Sequence, residues 1–243
     1  MANILFLGTL TIDEKTVRIV HPGSELEAHT PVLRDTVQGH EISWVIVDNK
    51  LIAQRCALKE VRFNDLERIG LANPQKIHLD GRDFILRLPR VGTAPDDLPN
   101  EWDSALDATN NRDLLWYWSE MRFWGSDQFD GIRGYRATRG QTSARGWSWE
   151  MEDEGSGMGW RPVLEPVPVP LGQALIGKRM AVWGGQEILE GRLMSYSDYD
   201  LCLSDLARHR PRKRGSWAAK AADGITVVDR SKVCVIQLAK GDG

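Results

Sequence analysis

The alternation of apolar and polar residues predicts β-strands along most of the chain. From Ile4 to Val20 such positions alternate and Thr and Val are enriched, which is typical of a hairpin. The run from Glu41 to Val47 is short, apolar and β-branched, so it predicts a buried strand. The segment from Lys76 to Pro89 has Asp80 and Gly81 near its centre, and this dipeptide predicts two strands joined by a tight turn.

Two short segments predict helices. Residues Phe63 to Gly70 place apolar side chains three apart, with Asn64 as the expected cap and Gly70 as a left-handed end. A second helix is expected after a loop rich in Pro and Asp, with Asn100 as its cap and Asp103 in the first turn, where negative charge is favourable. Helices combined with mostly antiparallel strands predict an α+β fold for the first part of the chain.

Seven of the ten tryptophans lie between residues 102 and 160, and they distinguish this chain from a generic domain. These tryptophans are Trp102, Trp116, Trp118, Trp124, Trp147, Trp149 and Trp160. Arginines are interleaved with them, namely Arg122, Arg133, Arg136, Arg139, Arg145 and Arg161. Tryptophan offers a large apolar surface with one donor, and arginine stacks on such rings. The cluster is therefore either an irregular core or a recognition surface, and both interpretations stay open.

The proline-rich segment 166–171 is expected to be an extended linker, because alternating prolines exclude helix and leave few backbone donors. It divides the chain into a first domain over residues 1–165 and a second domain over residues 172–243. The sequence of the second domain predicts short strands with glycines at the bends, and this pattern is typical of a small all-β barrel. The expected strands are Leu175 to Trp183, Glu187 to Tyr196, Tyr199 to Asp205, Ile225 to Val228 and Lys232 to Leu238.

The second domain resembles the Sm-like and SH3-like small barrels. The resemblance rests on a strand, the turn at Gly184 and Gly185, a second strand carrying Gly191 where the backbone bends, and the segment from Tyr199 entering the next strand. It implies the barrel fold and a capacity for homo-oligomers through the barrel. The Gly-rich RNA-binding turn of that family is replaced by Asp229 to Lys232, so the implication for RNA binding is weaker.

Residues 76–165 resemble C-type-lectin-like domains of the formylglycine-generating-enzyme type, which also occur in bacterial and phage variable proteins. The resemblance rests on the run Arg133 to Trp149 and on Gly159-Trp160-Arg161 as a final strand. It implies a ligand face near Tyr135 to Trp149. The residues expected to bind the ligand are Arg133, Tyr135, Arg136, Arg139, Arg145, Trp147 and Trp149. The cysteines of the catalytic members have no counterpart, so that activity is not expected.

The overall charge does not indicate nucleic-acid binding, because the chain has 31 basic and 34 acidic residues and a net charge of −3. A local basic run is either a phosphate contact or a solvated loop. Its cations are Arg208, Arg210, Arg212, Lys213 and Arg214. Three scattered cysteines favour a reducing compartment, and no apolar run is long enough for a membrane helix. We therefore expect a cytoplasmic protein with no membrane contact, located in the host cytoplasm if a phage encodes it.

The sequence contains no recognisable catalytic or metal centre. The five histidines lack the spacings that hold a metal on one helix or strand, and no phosphate-binding glycine motif opens a helix. Acidic pairs occur at Asp96 and Asp97 and between Glu150 and Glu154, but carboxylates in loops are common. We therefore predict a protein that is not an enzyme and needs no cofactor.

Three hypotheses on function follow. The first is a non-catalytic binding protein, of bacterial or phage type, that captures a protein or a small anionic ligand through Trp/Arg-rich loops, with the barrel aiding assembly. The alternative is a nucleic-acid or nucleotide binder, such as a phage counter-defence protein, that uses the barrel and its basic loop. The third is an unrecognised hydrolase or transferase. The salt dependence of binding distinguishes the first two hypotheses, because binding driven by phosphate contacts weakens steeply as the salt concentration rises.

Overall fold

The computed structural model describes residues 3–17, 30–129, 132–207, 217–221 and 223–239. About 45% of the residues are in strands and 12% in helices. The prediction of an α+β fold is therefore wrong, and the protein is mostly β. The reason is that the described helices are short, the longest having 9 residues, whereas each alternating segment contains at least one strand.

Two antiparallel-dominated sheets are built from the strands before residue 167. Their bounds are β1 (Ile4–Ile12), β2 (Lys15–Val17), β3 (Pro31–Arg34), β4 (Glu41–Val47), β5 (Lys50–Ala53), β6 (Leu58–Lys59), β7 (Gln75–Leu79), β8 (Arg82–Arg87), β9 (Arg122–Gln128), β10 (Tyr135–Gly140), β11 (Trp147–Met151), β12 (Met158–Trp160) and β13 (Val163–Pro166). The eight-stranded sheet has the order β2-β1-β4-β5-β13-β8-β7, with β3 also paired to β1. The five-stranded sheet has the order β11-β10-β9-β12-β6, so β11 is an edge strand.

The hairpin predictions are confirmed where the structure describes the chain. Strands β1 and β2 pair antiparallel, and β7 and β8 pair around the predicted turn. Asp80 and Gly81 both have positive φ, at 48° and 76°, as a two-residue hairpin turn requires. The predicted buried strand is β4, whose last four residues are buried. Residues 18–29, which include the end of the first predicted segment, lie outside the described residues.

Three helices occur in the described part of the chain: α1 (Phe63–Arg68), α2 (Glu101–Thr109) and α3 (Asp113–Trp116). The predicted cap of α1 is wrong, because the extended residue before the helix is Arg62 and Asn64 lies inside the first turn. Gly70 does take the predicted left-handed conformation, at φ 81°. The cap of α2 is confirmed, since the Asn100 side chain accepts a hydrogen bond from the Asp103 amide at 2.9 Å.

Most of the tryptophan cluster is core. Trp102 packs edge-to-face on Trp116 and on Phe123, with ring centroids 5.1 and 4.7 Å apart, in a core between α2 and the five-stranded sheet. Trp124 and Trp160 are buried in a second core shared with the eight-stranded sheet. Helix α2 and strand β9 therefore owe their positions to buried rings, as large apolar surfaces dominate core stability.

The C-terminal part forms a six-stranded half-barrel. Its strands are β14 (Arg179–Gly184), β15 (Glu187–Tyr196), β16 (Asp200–Ser204), β17 (Ala218–Lys220), β18 (Thr226–Asp229) and β19 (Val235–Leu238). They follow the order β17-β18-β16-β15-β14-β19. Gly191 lies at a close approach of two strands, because a Cβ there would come within 2.7 Å of the Ser204 carbonyl oxygen. Strand β17 was not predicted, and it covers one edge of the sheet.

The half-barrel shares a core with the eight-stranded sheet. The rings of Phe84 and Trp183 meet edge-to-face at 6.3 Å, and the side-chain amide of Gln237 donates to the Asp83 carbonyl oxygen at 2.9 Å. In the linker, the Val169 amide donates to Ile236 of β19 at 2.8 Å. The domain boundaries stay a prediction, and contacts cross them.

Candidate binding site

A group of aromatic and apolar side chains, which we call the aromatic patch, lies on one face of β10 and β11 and at the end of β9. It consists of Phe129, Tyr135, Trp147, Trp149 and Met151. Trp149 stacks on Phe129, with centroids 5.4 Å apart and planes 18° apart, and meets Tyr135 edge-to-face at 5.1 Å. Trp149 is 43% exposed and Met151 is 48% exposed. The patch thus leaves a large aromatic surface in contact with solvent.

The alternation of side chains along β11 creates this patch. Successive residues of a strand point to opposite faces, so Trp147, Trp149 and Met151 share one face. Glu150 points to the other face and pairs with Arg122. Because β11 is an edge strand, no other strand among the described residues pairs with its outer side.

The arginines predicted to bind a ligand are mostly used inside the protein. Arg139 is 2% exposed, and its guanidinium donates to Asp103 at 2.8 Å. Arg145 donates to the same carboxylate at 3.1 Å. On the other face of the hairpin, Arg136 pairs with Glu152 at 2.8 Å. These three cations are therefore neutralised by nearby carboxylates.

Burial has an electrostatic consequence for Arg139. Loss of hydration lowers the pKa of its guanidinium, and the charge and hydrogen bond of Asp103 oppose that shift. A buried cation is tolerated only when it is paired and its donors are satisfied, and here further donors of Arg139 bind the Val91 carbonyl oxygen. Arg139 is therefore a structural residue of the hairpin.

Among the residues predicted for the ligand face, the structure brings Tyr135, Trp147 and Trp149 together. Arg133 is exposed beyond them, in the connection between β9 and β10. The aromatic half of the predicted site is thus assembled on one surface, whereas most of its arginine half is not available to a ligand.

A cleft of about 380 Å³ adjoins the aromatic patch. Its lining residues are Val47, Asp48, Lys50, Ile52, Arg90, Gly92, Asp97, Pro99, Asn100, Glu101, Ser104 and Asp127. Trp147 connects the two features, because its indole N–H donates to the Gly92 carbonyl oxygen at 3.0 Å and its ring lies 5.8 Å from Phe129. The sequence pattern did not predict this cleft. It indicates only the Pro/Asp-rich loop that forms one wall.

Glu101 anchors the base of the cleft. Its carboxylate accepts two hydrogen bonds from the Arg87 guanidinium, at 2.7 and 2.8 Å, and pairs with Lys50 at 3.1 Å. Burial by itself raises the pKa of Glu101. The Arg87 hydrogen bonds and charge, the Arg90 amide and the Lys50 charge outweigh burial, and the pKa falls to about 2. Glu101 is therefore ionised, and its carboxylate oxygens are already engaged by Arg87, Lys50 and the Arg90 amide.

Other carboxylates of the cleft keep capacity for a ligand. One oxygen of Asp127 accepts from the Gly92 amide at 3.1 Å, and one oxygen of Asp97 accepts from the Thr93 amide at 2.8 Å. Hydrogen bonding to the amide and hydroxyl of Thr93 lowers the pKa of Asp97. Asp48 is exposed at the rim. Within the described residues, the second oxygens of Asp97 and Asp127 accept no hydrogen bond.

The half-barrel carries a second, shallower cleft of about 550 Å³, lined by Asp198, Tyr199, Asp200, Asp229, Arg230 and Ser231. Tyr199 is 80% exposed there. Arg230 donates to the Ser197 carbonyl oxygen at 2.6 Å and lies 3.6 Å from Asp198. Three carboxylates thus surround the exposed ring. The predicted phosphate contacts, Arg208, Arg210, Arg212, Lys213 and Arg214, lie outside the described residues.

Other candidate chemistry has ordinary partners in the structure. His78 lies 2.8 Å from Asp83 on the surface, and Glu154 accepts the Gly155 amide at 2.9 Å. Over the described ranges, no group of three or more His, Cys, Asp or Glu side chains could hold a metal ion. No helix in the same ranges is long and apolar enough to cross a membrane.

No protein-family model, curated protein or solved structure matches this chain. The resemblances to C-type-lectin-like domains and to Sm-like or SH3-like barrels therefore stay predictions. The candidate site depends on geometry alone, namely the aromatic patch and the cleft that adjoins it.

Proposed function

We propose that this protein is a non-catalytic binding protein that captures a protein partner on the aromatic patch. The observation that carries the proposal is the exposure of Trp149 within a group of packed aromatic rings. Tryptophan and tyrosine are the residue types most enriched at the centres of protein interfaces. Rings that are already held by their neighbours lose little side-chain entropy on binding, which favours affinity.

The pairing of the arginines favours a protein partner over a small anionic ligand. Arg136, Arg139 and Arg145 each have a carboxylate partner within 3.1 Å. An anion would have to compete with those carboxylates for the same donors. An apolar side chain, by contrast, would gain contact with Trp149 and Met151 without displacing any ion pair.

The alternative, a nucleotide or nucleic-acid binder, has less support in the described half-barrel. The exposed ring of Tyr199 suits base stacking, but Asp198, Asp200 and Asp229 line the same cleft. Phosphates would meet repulsion from these carboxylates. The basic run that could offset it lies outside the described residues.

Selection of peptides by display on the wild-type protein tests the proposal. We expect peptides with aromatic or large aliphatic residues to be enriched. Their affinity for Trp149→Ala should fall about tenfold or more, because truncation of a central aromatic anchor commonly costs about 2 kcal/mol or more.

Tyr199→Ala is the matched control, since it removes an exposed ring from the other cleft. Selected peptides should bind this variant as they bind the wild type. Equal binding to all three proteins would contradict the proposal. Saturable binding of single-stranded RNA or DNA that weakens with salt and depends on Tyr199 would favour the alternative.

A further inference from the structure

We propose that the partner segment carries a basic residue, arginine or lysine, next to its apolar anchor. This basic side chain enters the cleft beside the aromatic patch. The inference rests on the proposed function. The apolar anchor would cover Trp149, and the cation would meet the carboxylates at the other end of the site. The inference thus specifies the chemistry of the partner.

The cleft and the patch are parts of one surface. Gly92 lies in the cleft wall, its carbonyl oxygen accepts from the Trp147 indole at 3.0 Å, and its amide donates to Asp127 at 3.1 Å. Asp127 lies two residues before Phe129 of the patch. Strands rise about 3.3 Å per residue, so the Cα atoms of these two residues are about 7 Å apart. An extended peptide with one residue between its anchors spans a similar distance.

The charge balance of the cleft favours a cation. Arg87 pairs with both Glu101 and Glu165, and Lys50 also pairs with Glu101, so two cations balance two carboxylates and Glu101 contributes no free acceptor. Asp48, Asp97 and Asp127 then face a single lining cation whose side chain has no carboxylate partner within the described residues, Arg90. The cleft lining thus has three negative charges and one positive charge that are not paired with each other or with another charged side chain among the described residues. A basic side chain would pair with the free oxygens of Asp97 and Asp127, and hydrogen bonds between ionised groups are the stronger ones.

The position of the cleft at one end of the patch fixes the direction of the partner segment. Trp147 is opposite Arg139 at the cleft end, and Met151 is opposite Tyr135 at the far end, near the connection that carries Arg133. A basic residue would be attracted by the carboxylates of the cleft. The cation must therefore lie on the Trp147 side of the apolar anchor.

The test uses two synthetic probes, acetyl-Trp-Gly-Arg-amide and the same peptide with neutral citrulline in place of arginine. Binding is followed through the indole N–H resonances of the ¹⁵N-labelled full chain. The Trp147 indole reports on the cleft wall and the Trp149 indole reports on the patch. We expect the arginine peptide to bind about tenfold more tightly than the citrulline peptide, as hydrogen bonds to charged groups are stronger than neutral ones.

The variant Asp97→Asn/Asp127→Asn should abolish that preference. Asparagine can still accept the amide hydrogen bonds that Asp97 holds from Thr93 and that Asp127 holds from Val91 and Gly92, so the loop keeps these hydrogen bonds while the charge is lost. The other eight indole resonances check that the fold is unchanged. Asp198→Asn, in the half-barrel cleft, is the control and should keep the full preference. The preference should also decrease as salt rises.

Equal affinity for the two peptides would overturn the inference. If that affinity still depended on Trp149, the proposed function would stand without the cationic anchor. Binding of neither peptide at millimolar concentration would also overturn the inference, and the display selection would then decide the proposed function separately.

Discussion

The two ends of the β10–β11 hairpin use the same residue types for different purposes. At the inner end, Arg139 lies opposite Trp147, and the arginine is buried against Asp103. At the outer end, Trp149 packs on Phe129 and Tyr135, and these rings remain in contact with solvent. Composition alone would assign one role to both ends.

The difference shows that a Trp/Arg-rich segment is not by itself a recognition surface. The inner end has helix α2 and the Val91–Gly92 loop packed over it, so the Arg139 guanidinium and the Trp147 indole form their hydrogen bonds within the protein. The described part of the chain places no such cover over the outer end, and Trp149 is exposed there. We expect substitutions at the inner end to change stability and substitutions at the outer end to change binding.

The largest effect is expected from Asp103→Ala at the inner end. This change leaves the Arg139 guanidinium buried without its carboxylate, which typically costs about 3–5 kcal/mol of unfolding free energy. Chemical denaturation at neutral pH measures it. Asp107→Ala is the matched control, because Asp107 pairs with Arg145 at the surface and should cost about 1 kcal/mol or less. Equal losses in the two variants would contradict the structural role of the buried pair.

A slightly smaller effect is expected from Glu101→Gln at the base of the cleft. The folded-state pKa of Glu101 is about 2 against an ordinary value of 4.5. A lowered pKa stabilises the folded state above pH 4.5, and this contribution is lost as the pH falls from 4.5 towards 2. At pH 7 the difference amounts to about 3 kcal/mol.

Denaturation at pH 7 and at pH 3 measures this contribution. The wild type should lose stability between the two values, and the variant should lose less, because the side-chain amide does not titrate. An unchanged pH dependence in the variant would contradict the assignment of the low pKa to Glu101.

The smallest effect on stability is expected from Trp149→Ala at the outer end. Exposed ring contacts contribute about 0.5–1.5 kcal/mol, so the melting temperature should decrease only slightly although the affinity for peptides falls about tenfold or more. Differential scanning calorimetry beside the binding assay checks both. A stability loss as large as that of Asp103→Ala would remove the distinction between the two ends.

Local sequence signals predicted those elements that depend on neighbouring residues. The Asp80-Gly81 turn, the Asn100 cap and the bounds of β15 all agree with the structure. The prediction of an α+β fold is wrong because both predicted helices are short and the described strands far outnumber them. Asn64 has the right residue type for a cap, but the chain enters α1 through the extended Arg62.

The candidate site could be predicted only in part. The period-two spacing of Trp147 and Trp149 indicates that the two rings share a face, and that was within reach of the sequence. The cleft was not, because its walls come from β4, β5, the loop at Gly92 and helix α2, which are distant along the chain. No periodicity relates residues that meet only through sheet pairing.

By itself, the sequence determined where strands alternate, where turns need left-handed residues and where aromatic residues concentrate, since these depend on backbone sterics and side-chain spacing. Only the tertiary structure decided which rings are buried and which arginines are neutralised. Burial and charge pairing depend on what packs over a residue. In this protein α2 and the loop at Gly92 cover the inner end of the hairpin and leave Trp149 exposed.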